Sequence, residues 1–300
     1  MKQAILIGCG KIGAGYDIDN SKLTLTHSKA YFLSKNVNLY KVIDKDSDIA
    51  KKIATKYNCE YSNELTKNDL EQSDIISIAT PTEFHLETLE YLHVNNFQGK
   101  IILEKPAVSD ENEIKKLLCF DKKFLDQISI NYIRRFDKTY TKILHELKTG
   151  KHGEIKKIEA NIFGSMEHNG VHVINILNYI FDSKPKIQFA SKQTTLLKYL
   201  ETEVTINTLD TTYLNFDLVF FTQNKKIVFD ELGYKLTIYE SVDSKQFNGV
   251  TTLNKIATES ILHTYALDMI SAVLENKKTI PTIYEGIEDM KIVKEIECWQ

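Results

Sequence analysis

Ala4-Ile5-Leu6-Ile7-Gly8-Cys9-Gly10-Lys11-Ile12-Gly13 decides the fold: an apolar run of strand length breaks directly into glycines spaced G-x-G-x-x-G. A dinucleotide pyrophosphate needs that order. Gly8 allows a tight turn, and Gly10, lacking a Cβ, lets the backbone approach the phosphates. Gly13 lets a following helix pack closely, with its N-terminal N–H groups and dipole facing the anion. Lys11 and Ile12, inside the same turn, join the expected cofactor contacts. A buried-strand pattern running into these glycines predicts an N-terminal Rossmann domain.

Downstream, Gly15 to Ser21 reads as loop, and the next helical pattern runs from His27 to Lys35. Leu39 to Asp44 reads as the second strand. Its terminal Asp44 either grips the adenine-side ribose hydroxyls or starts a turn with Asp46; in the first role it repels a 2′-phosphate and favours NAD over NADP. A helix from Ile49 to Tyr57 and a short strand near Cys59 to Tyr61 follow. Asp74 to Pro81 is a buried strand stopped by proline, a helix runs to Val94, and Gly99 to Pro106 is the next strand. Strands and helices alternating at this spacing give a parallel, doubly wound sheet. Gly8–Gly13, Asp44, Thr80-Pro81 and Glu104-Lys105-Pro106 all fall at strand C-termini, where such sheets bind ligands.

The glycines, Ala79-Thr80-Pro81-Thr82-Glu83-Phe84-His85, Glu104-Lys105-Pro106 and Asn131-Tyr132-Ile133-Arg134-Arg135-Phe136-Asp137 together make the chain similar to the glucose-fructose oxidoreductase / inositol dehydrogenase / MocA family. The resemblance implies an NAD(P)-dependent oxidoreductase acting on sugars, cyclitols or nucleotide-linked sugars. It implies a Rossmann domain over 1–122 and a C-terminal α+β domain over 123–300 with an open, mostly antiparallel sheet that often forms the interface of a homodimer or homotetramer. The final helices can pack back on the first domain. Lys105 takes the family's catalytic position; desolvation at a strand end would lower its pKa and ease proton exchange. Glu104 either orients Lys105 or forms a structural ion pair. His85 either approaches the cofactor or is a satisfied structural histidine.

From residue 127 to 132 a last strand leads out of the first domain, with Tyr132 at its end among the expected substrate contacts. A helix from Lys138 to Lys148 ends near Gly150, and Ile155 to Phe163 alternates as a strand. Leu214, Phe216, Leu218 and Phe220 share one face, as do Ile227/Phe229 and Leu236/Ile238. The stretches 191–210 and 241–258 are ambiguous. Leu262, Ala266, Met269 and Val273 mark an apolar helix face, and Ile283 to Cys298 a final helix.

His168, His172 and Asn175 recur at i, i+4 and i+7, which on a helix makes one polar stripe among apolar positions. The resemblance places an acid/base histidine at His172, within a pattern Asp-x-Gly-x-His-x-x-Asp. Here His168 and Asn175 stand where that pattern has acids, which favours a neutral base. His168 is either part of the site or structural. Two histidines at this spacing without a third ligand do not make a metal site. Among 38 lysines and arginines, Arg134 and Arg135 are the sole arginines. A planar fork suits an anionic substrate group or an interdomain ion pair.

Composition narrows the alternatives. A net charge of −3 over 300 residues gives no electrostatic reason for nucleic acid or an anionic membrane as partner. Cys9, Cys59, Cys119 and Cys298 form no C-x-x-C pair and read as reduced cytoplasmic thiols. The first strand begins almost at once, which leaves no room for a signal peptide, and no apolar run approaches a membrane span. Besides a hydride-transferring dehydrogenase, an enzyme using NAD transiently and a non-catalytic cofactor-binding regulator remain open.

Overall fold

The computed structural model describes residues 1–19, 22–246, 248–277 and 279–299. It divides into two compact units, 1–137 with 263–288, and 138–262 with 289–300.

The first unit is a parallel sheet wrapped by helices. Its strands are β1 (Lys2–Ile7), β2 (Val37–Ile43), β3 (Glu60–Ser62), β4 (Ile75–Ile78), β5 (Lys100–Leu103) and β6 (Ile128–Ile130), in spatial order β3-β2-β1-β4-β5-β6. All five pairings are parallel. The order reverses between β1 and β4, the position at which a doubly wound sheet opens a crevice beyond its strand C-termini. Ala4 to Leu6 and Ile75 to Ile78 are wholly buried, as apolar strands covered on both faces must be. The helices are α1 (His27–Leu33), α2 (Ser47–Tyr57), α3 (Lys67–Gln72), α4 (His85–Val94), α5 (Glu111–Leu117) and α6 (Lys122–Leu125).

No long helix follows the glycines. Lys11–Gly15 is a single π-helical turn, so the helix-dipole argument at Gly13 gives way to local loop packing. A Cβ on Gly13 would meet the Gly8 carbonyl oxygen at 2.1 Å, so what needs glycine there is closure of the loop on itself. The end of the connection before α1 is tied by Asp17, which is 1% exposed. Asp17 Oδ2 accepts from the N–H groups of Leu25 (2.6 Å) and Thr26 (3.1 Å), and Oδ1 from the Thr26 hydroxyl (2.7 Å). Helix α9 (Tyr265–Leu274) buttresses the loop: Tyr265 donates to the Leu25 carbonyl at 2.6 Å, and Thr24 N–H to that of His263 at 2.8 Å. Positions 20 and 21 of this loop lie outside the described residues.

The second unit contains α7 (Lys138–Lys148), β7 (Ile155–Phe163), α8 (Val171–Phe181) and seven further strands. These are β8 (Lys186–Ala190), β9 (Thr194–Tyr199), β10 (Thr202–Leu209), β11 (Phe216–Thr222), β12 (Lys225–Asp230), β13 (Lys235–Asp243) and β14 (Thr251–Ser260). The sheet order is β14-β13-β12-β11-β7-β10-β9-β8. Every pairing is antiparallel except β7 with β10. The alternation predicted for β7, β11 and β12 buries Ile158, Ala160, Ile162, Phe216, Leu218, Phe220, Ile227 and Phe229. Tyr140 of α7 stacks on Phe229 with ring centroids 4.1 Å apart. Leu214 departs from the expected stripe: it precedes β11 and is 62% exposed. The ambiguous stretches resolve into β9 and β10, and into the end of β13 with β14. The final helix, α10, spans Ile283–Cys298 as predicted, and the division between the units falls inside it.

Candidate functional site

Five of the expected cofactor residues converge beyond the C-termini of β1, β2 and β4. A cleft of about 460 Å³ there is lined by Gly8, Gly10, Asp44, Thr80 and Pro81 of the predicted set, and by Lys45, Phe84 and Tyr91 among others. Gly8 has φ +93°, and a Cβ on it would lie 2.6 Å from the Ala79 carbonyl. Gly10 differs: a Cβ there would meet nothing within 4 Å. Its missing side chain leaves open space over the backbone, the cradle a pyrophosphate needs, so these residues fit a dinucleotide. Lys11 is exposed and Ile12 half-buried in the turn that follows; neither lines the cleft. A larger shallow cavity of about 710 Å³ lies along Lys2, Asp74 and Lys100, at the N-terminal edge of the strands, away from the end where such sheets bind ligands.

Asp44 makes the turn contact read from sequence and a second bond to the glycine loop. Its Oδ2 accepts from Cys9 N–H at 2.7 Å, tying the end of β2 to the glycine loop, and its Oδ1 accepts from Asp46 N–H at 2.9 Å. The residue also lines the cleft, so the turn contact and a place beside the glycine loop coexist. Lys45 places its ammonium 3.9 Å from the centre of the Phe84 ring.

His85 is fully buried. Its Nε2 faces the Thr80 carbonyl at 3.0 Å, and its Nδ1 faces those of Pro106 (3.0 Å) and Ala107 (3.3 Å). Both ring nitrogens therefore face backbone carbonyls, lying between the loop after β4 and the loop after β5, and the neutral ring donates from one of them. The carbonyls and the Glu104 charge favour its protonated form, but burial outweighs them and its pKa falls below the usual histidine value.

Lys105 follows β5 and is half-buried. Desolvation lowers its pKa and the Arg134 charge adds to that, while the Glu104 carboxylate works the other way. Glu104 is 6% exposed. Burial would raise its pKa, but the hydrogen bonds from His27 and the Asn131 amide and the Lys105 charge hold it below the usual value. His27 Nε2 lies 2.8 Å and Asn131 Nδ2 2.5 Å from Glu104 Oε1. Neither His27 nor Asn131 stood out in the sequence as a site residue. The signal for His27 was its place immediately after Thr26, the N-cap of α1.

Arg135 is buried, its guanidinium donating to the Thr279 carbonyl (3.1 Å) and to Glu285 (3.3 Å), all within the first unit. That is the ion-pair alternative, although the partner belongs to the same unit and the pair is not interdomain. Arg134 is buried too, and its charge is the one felt at Lys105. Tyr132 is 1% exposed.

The helical stripe in the second unit is broken. His168 lies in a π-helical turn, Met166–Gly170, ahead of α8, and is exposed, with Nδ1 3.0 Å from its N-cap hydroxyl on Ser165. His172 and Asn175 are on α8 and buried. The π turn changes the residues per turn, so the i, i+4 relation of His168 to His172 is not that of one α-helix. Asn175 Nδ2 donates to Asp289 Oδ2 at 2.7 Å, and Asn178 Nδ2 to Asp289 Oδ1 at 2.7 Å. A carboxylate thus accompanies α8 after all, supplied by α10 and missed in the sequence because it lies more than a hundred positions away. Among the described residues no group of three metal-ligating side chains converges, and no helix is long and apolar enough to cross a membrane.

Comparison with known proteins agrees with this geometry. Residues 2–132 match the family described as "Oxidoreductase family, NAD-binding Rossmann fold" (GFO_IDH_MocA). The chain is 25% identical to inositol 2-dehydrogenase of Rhizobium meliloti (strain 1021) over 154 residues, 51% of this chain and 42% of that enzyme's length. Among solved structures it resembles KijD10, a 3-ketoreductase from Actinomadura kijaniata in complex with NADP and TDP-benzene, at a TM-score of 0.76, 13% identity and coverage of 99% and 97%. It also resembles UDP-N-acetylglucosamine 3-dehydrogenase from Acidithiobacillus ferrooxidans, at a TM-score of 0.72, 15% identity and coverage of 99% and 98%. At these identities the structures speak for the fold alone. Residues 2–132 thus match the NAD-binding Rossmann domain of the Gfo/Idh/MocA oxidoreductase family, in keeping with the parallel sheet of the first unit.

Proposed function

We propose that this protein is an NAD(H)-dependent oxidoreductase acting on a hydroxyl- or keto-bearing carbon of a sugar, cyclitol or nucleotide-linked sugar. The observation that carries this is the pairing, on one edge of one sheet, of an open glycine cradle at Gly10 with Lys105, whose ammonium is desolvated beside a buried carboxylate. Bound nicotinamide supplies or accepts the hydride. Gly8, Gly10 and Gly13 shape the loop that receives the pyrophosphate, and Asp44 takes the ribose hydroxyls and disfavours a 2′-phosphate. Lys105 hydrogen-bonds the reacting oxygen, and its lowered pKa eases transfer of the proton at Nζ. His172 is the second proton-handling group, and Arg134 the candidate for an anionic part of the substrate.

The relatives support this substrate class: a cyclitol dehydrogenase in sequence, a nucleotide-sugar dehydrogenase in fold. The edge strand β14, exposed along its length with Leu253 and Ile256 about half exposed, supports a homodimer or homotetramer. Light scattering tests that, and a monomer at micromolar concentration refutes it. For the reaction, nicotinamide absorbance is followed while cyclitols, sugars and nucleotide sugars are supplied with NAD or NADH. Net conversion supports the dehydrogenase, whereas turnover with transient or no conversion favours the other enzyme class or a regulator. Lys105→Met should lower kcat by about three orders of magnitude with cofactor Kd little changed, and so should His172→Ala.

A further inference from the structure

Behind Lys105 lies a buried chain of side chains that the proposed reaction does not use. Tyr31 Oη is 2.6 Å from Ser77 Oγ, Ser77 Oγ is 3.0 Å from His27 Nδ1, and His27 Nε2 is 2.8 Å from Glu104 Oε1. Asn131 Nδ2 reaches the same oxygen at 2.5 Å. Tyr31, His27, Ser77, Glu104 and Asn131 are all buried. One proton ordering satisfies every bond: Tyr31 donates to Ser77, Ser77 to His27 Nδ1, and His27 Nε2–H to Glu104. The chain ends at a tyrosine 1% exposed, so it leads no proton to solvent. Its effect is to immobilise one carboxylate. Buried hydrogen-bonded chains of this kind favour a single arrangement, and breaking one leaves groups whose desolvation is no longer compensated.

We propose that His27 is a positioning residue that anchors the Glu104 carboxylate and thereby keeps a fixed negative charge behind Lys105. The proposal rests on the reading of Lys105 as the group that works on the substrate oxygen. Glu104 is faced by His27 and the Tyr31 chain from α1, by Asn131 after β6, by His85 from α4 and by its neighbour Lys105. Lys105 feels Glu104 and Arg134. With the Nε2–H donor gone, burial dominates at Glu104 and its pKa rises. A Glu104 that has taken up a proton no longer favours the Lys105 ammonium, so more free amine is present near neutral pH. His27→Gln keeps an N–H within reach of Glu104; His27→Leu does not.

The test follows acetylation of Lys105 by acetic anhydride across pH on the full chain, read by mass spectrometry and normalised to the alkaline plateau. Normalising separates a change in charge from a change in access. Near about pH 6.5, Glu104→Gln should raise the normalised rate about tenfold and His27→Leu about three- to tenfold, corresponding to a shift of up to one pH unit. His27→Gln should stay within about twofold of the wild type, and Glu104→Gln combined with His27→Leu should match Glu104→Gln alone. A wild-type profile in His27→Leu, or an additional rise in the double variant, overturns the proposal. If His27→Leu does not fold, Ser77→Ala takes its place; it should move the profile in the same direction, and a wild-type profile there also overturns it. Wild-type turnover in Lys105→Met would instead sink the hydride-transfer reading and leave the titration result standing.

Discussion

Two glycines of one motif do different work, and substitution should separate them. Gly8 sits at φ +93° against the Ala79 backbone, so Gly8→Ala meets both a strained backbone and a clash. It should destabilise the first unit by about 2–4 kcal/mol in denaturant unfolding. Gly10→Ala meets no protein atom. It should leave stability within about 0.5 kcal/mol while weakening dinucleotide binding tenfold or more, measured by calorimetry, because the added methyl occupies the pyrophosphate's approach. Asp44→Ser should narrow the ratio of NADP Kd to NAD Kd by about tenfold or more, by removing the carboxylate that opposes a 2′-phosphate. An unchanged ratio would show that Asp44 serves only the loop, through Cys9 and Asp46.

At the scale of elements, the long connection from the glycine turn to α1 is a positioning device. Asp17 closes it, Thr26 both donates to Asp17 and caps α1, and the first residue of that helix is His27. Asp17→Ala leaves two backbone N–H groups and a hydroxyl unsatisfied in a buried setting. It should cost about 2–4 kcal/mol in thermal or urea unfolding, and it should displace His27 enough to move the Lys105 acetylation profile in the direction expected for His27→Leu. A connection acting as a mobile lid would instead show little change in stability. The strand and helix pattern around it was readable because each segment carries its own period. The loop's role was not readable, because it depends on contacts to residues 263 to 266, far along the chain.

Across the whole molecule, buried titratable groups set the response to acid. His85 and His152 have pKa values pushed below the usual 6.5, chiefly by burial. The unfolded chain therefore binds more protons than the folded one below that value, and stability falls as pH drops beneath about 6.5. Glu104, Glu146 and Asp69 are held below their usual 4.5, 4.5 and 3.8 by hydrogen bonds and nearby charges that, for the buried Glu104 and Asp69, outweigh desolvation. Their contribution is complete above those values and is lost as pH falls through the folded ones. Unfolding free energy measured from pH 8 to 3 should thus decline in two stages, the first beginning near 6.5 and the second below about 4.5. His152→Gln should flatten the first stage, and a profile level from pH 8 to 5 would refute the assignment.

Short-range information determined a great deal. The apolar run and its glycines, the strands leading to Asp44, Pro81 and Glu104, and the period-two stripes of β7, β11 and β12 were all legible, because strand period and turn chemistry act over a few residues. Tertiary structure decided what the local pattern left ambiguous: that the polar stripe at His168 breaks at a π turn, that Arg135 pairs with Glu285, and that the carboxylate beside Asn175 comes from Asp289. It alone showed that His27 meets Ser77 across 50 positions and Glu104 across 77. No spacing in a linear chain encodes such meetings. They arise because burying both faces of the parallel sheet packs α1 onto β1 and β2, which carries His27 to Ser77 of β4 and to Glu104 past β5, and polar groups caught in that burial must find one another.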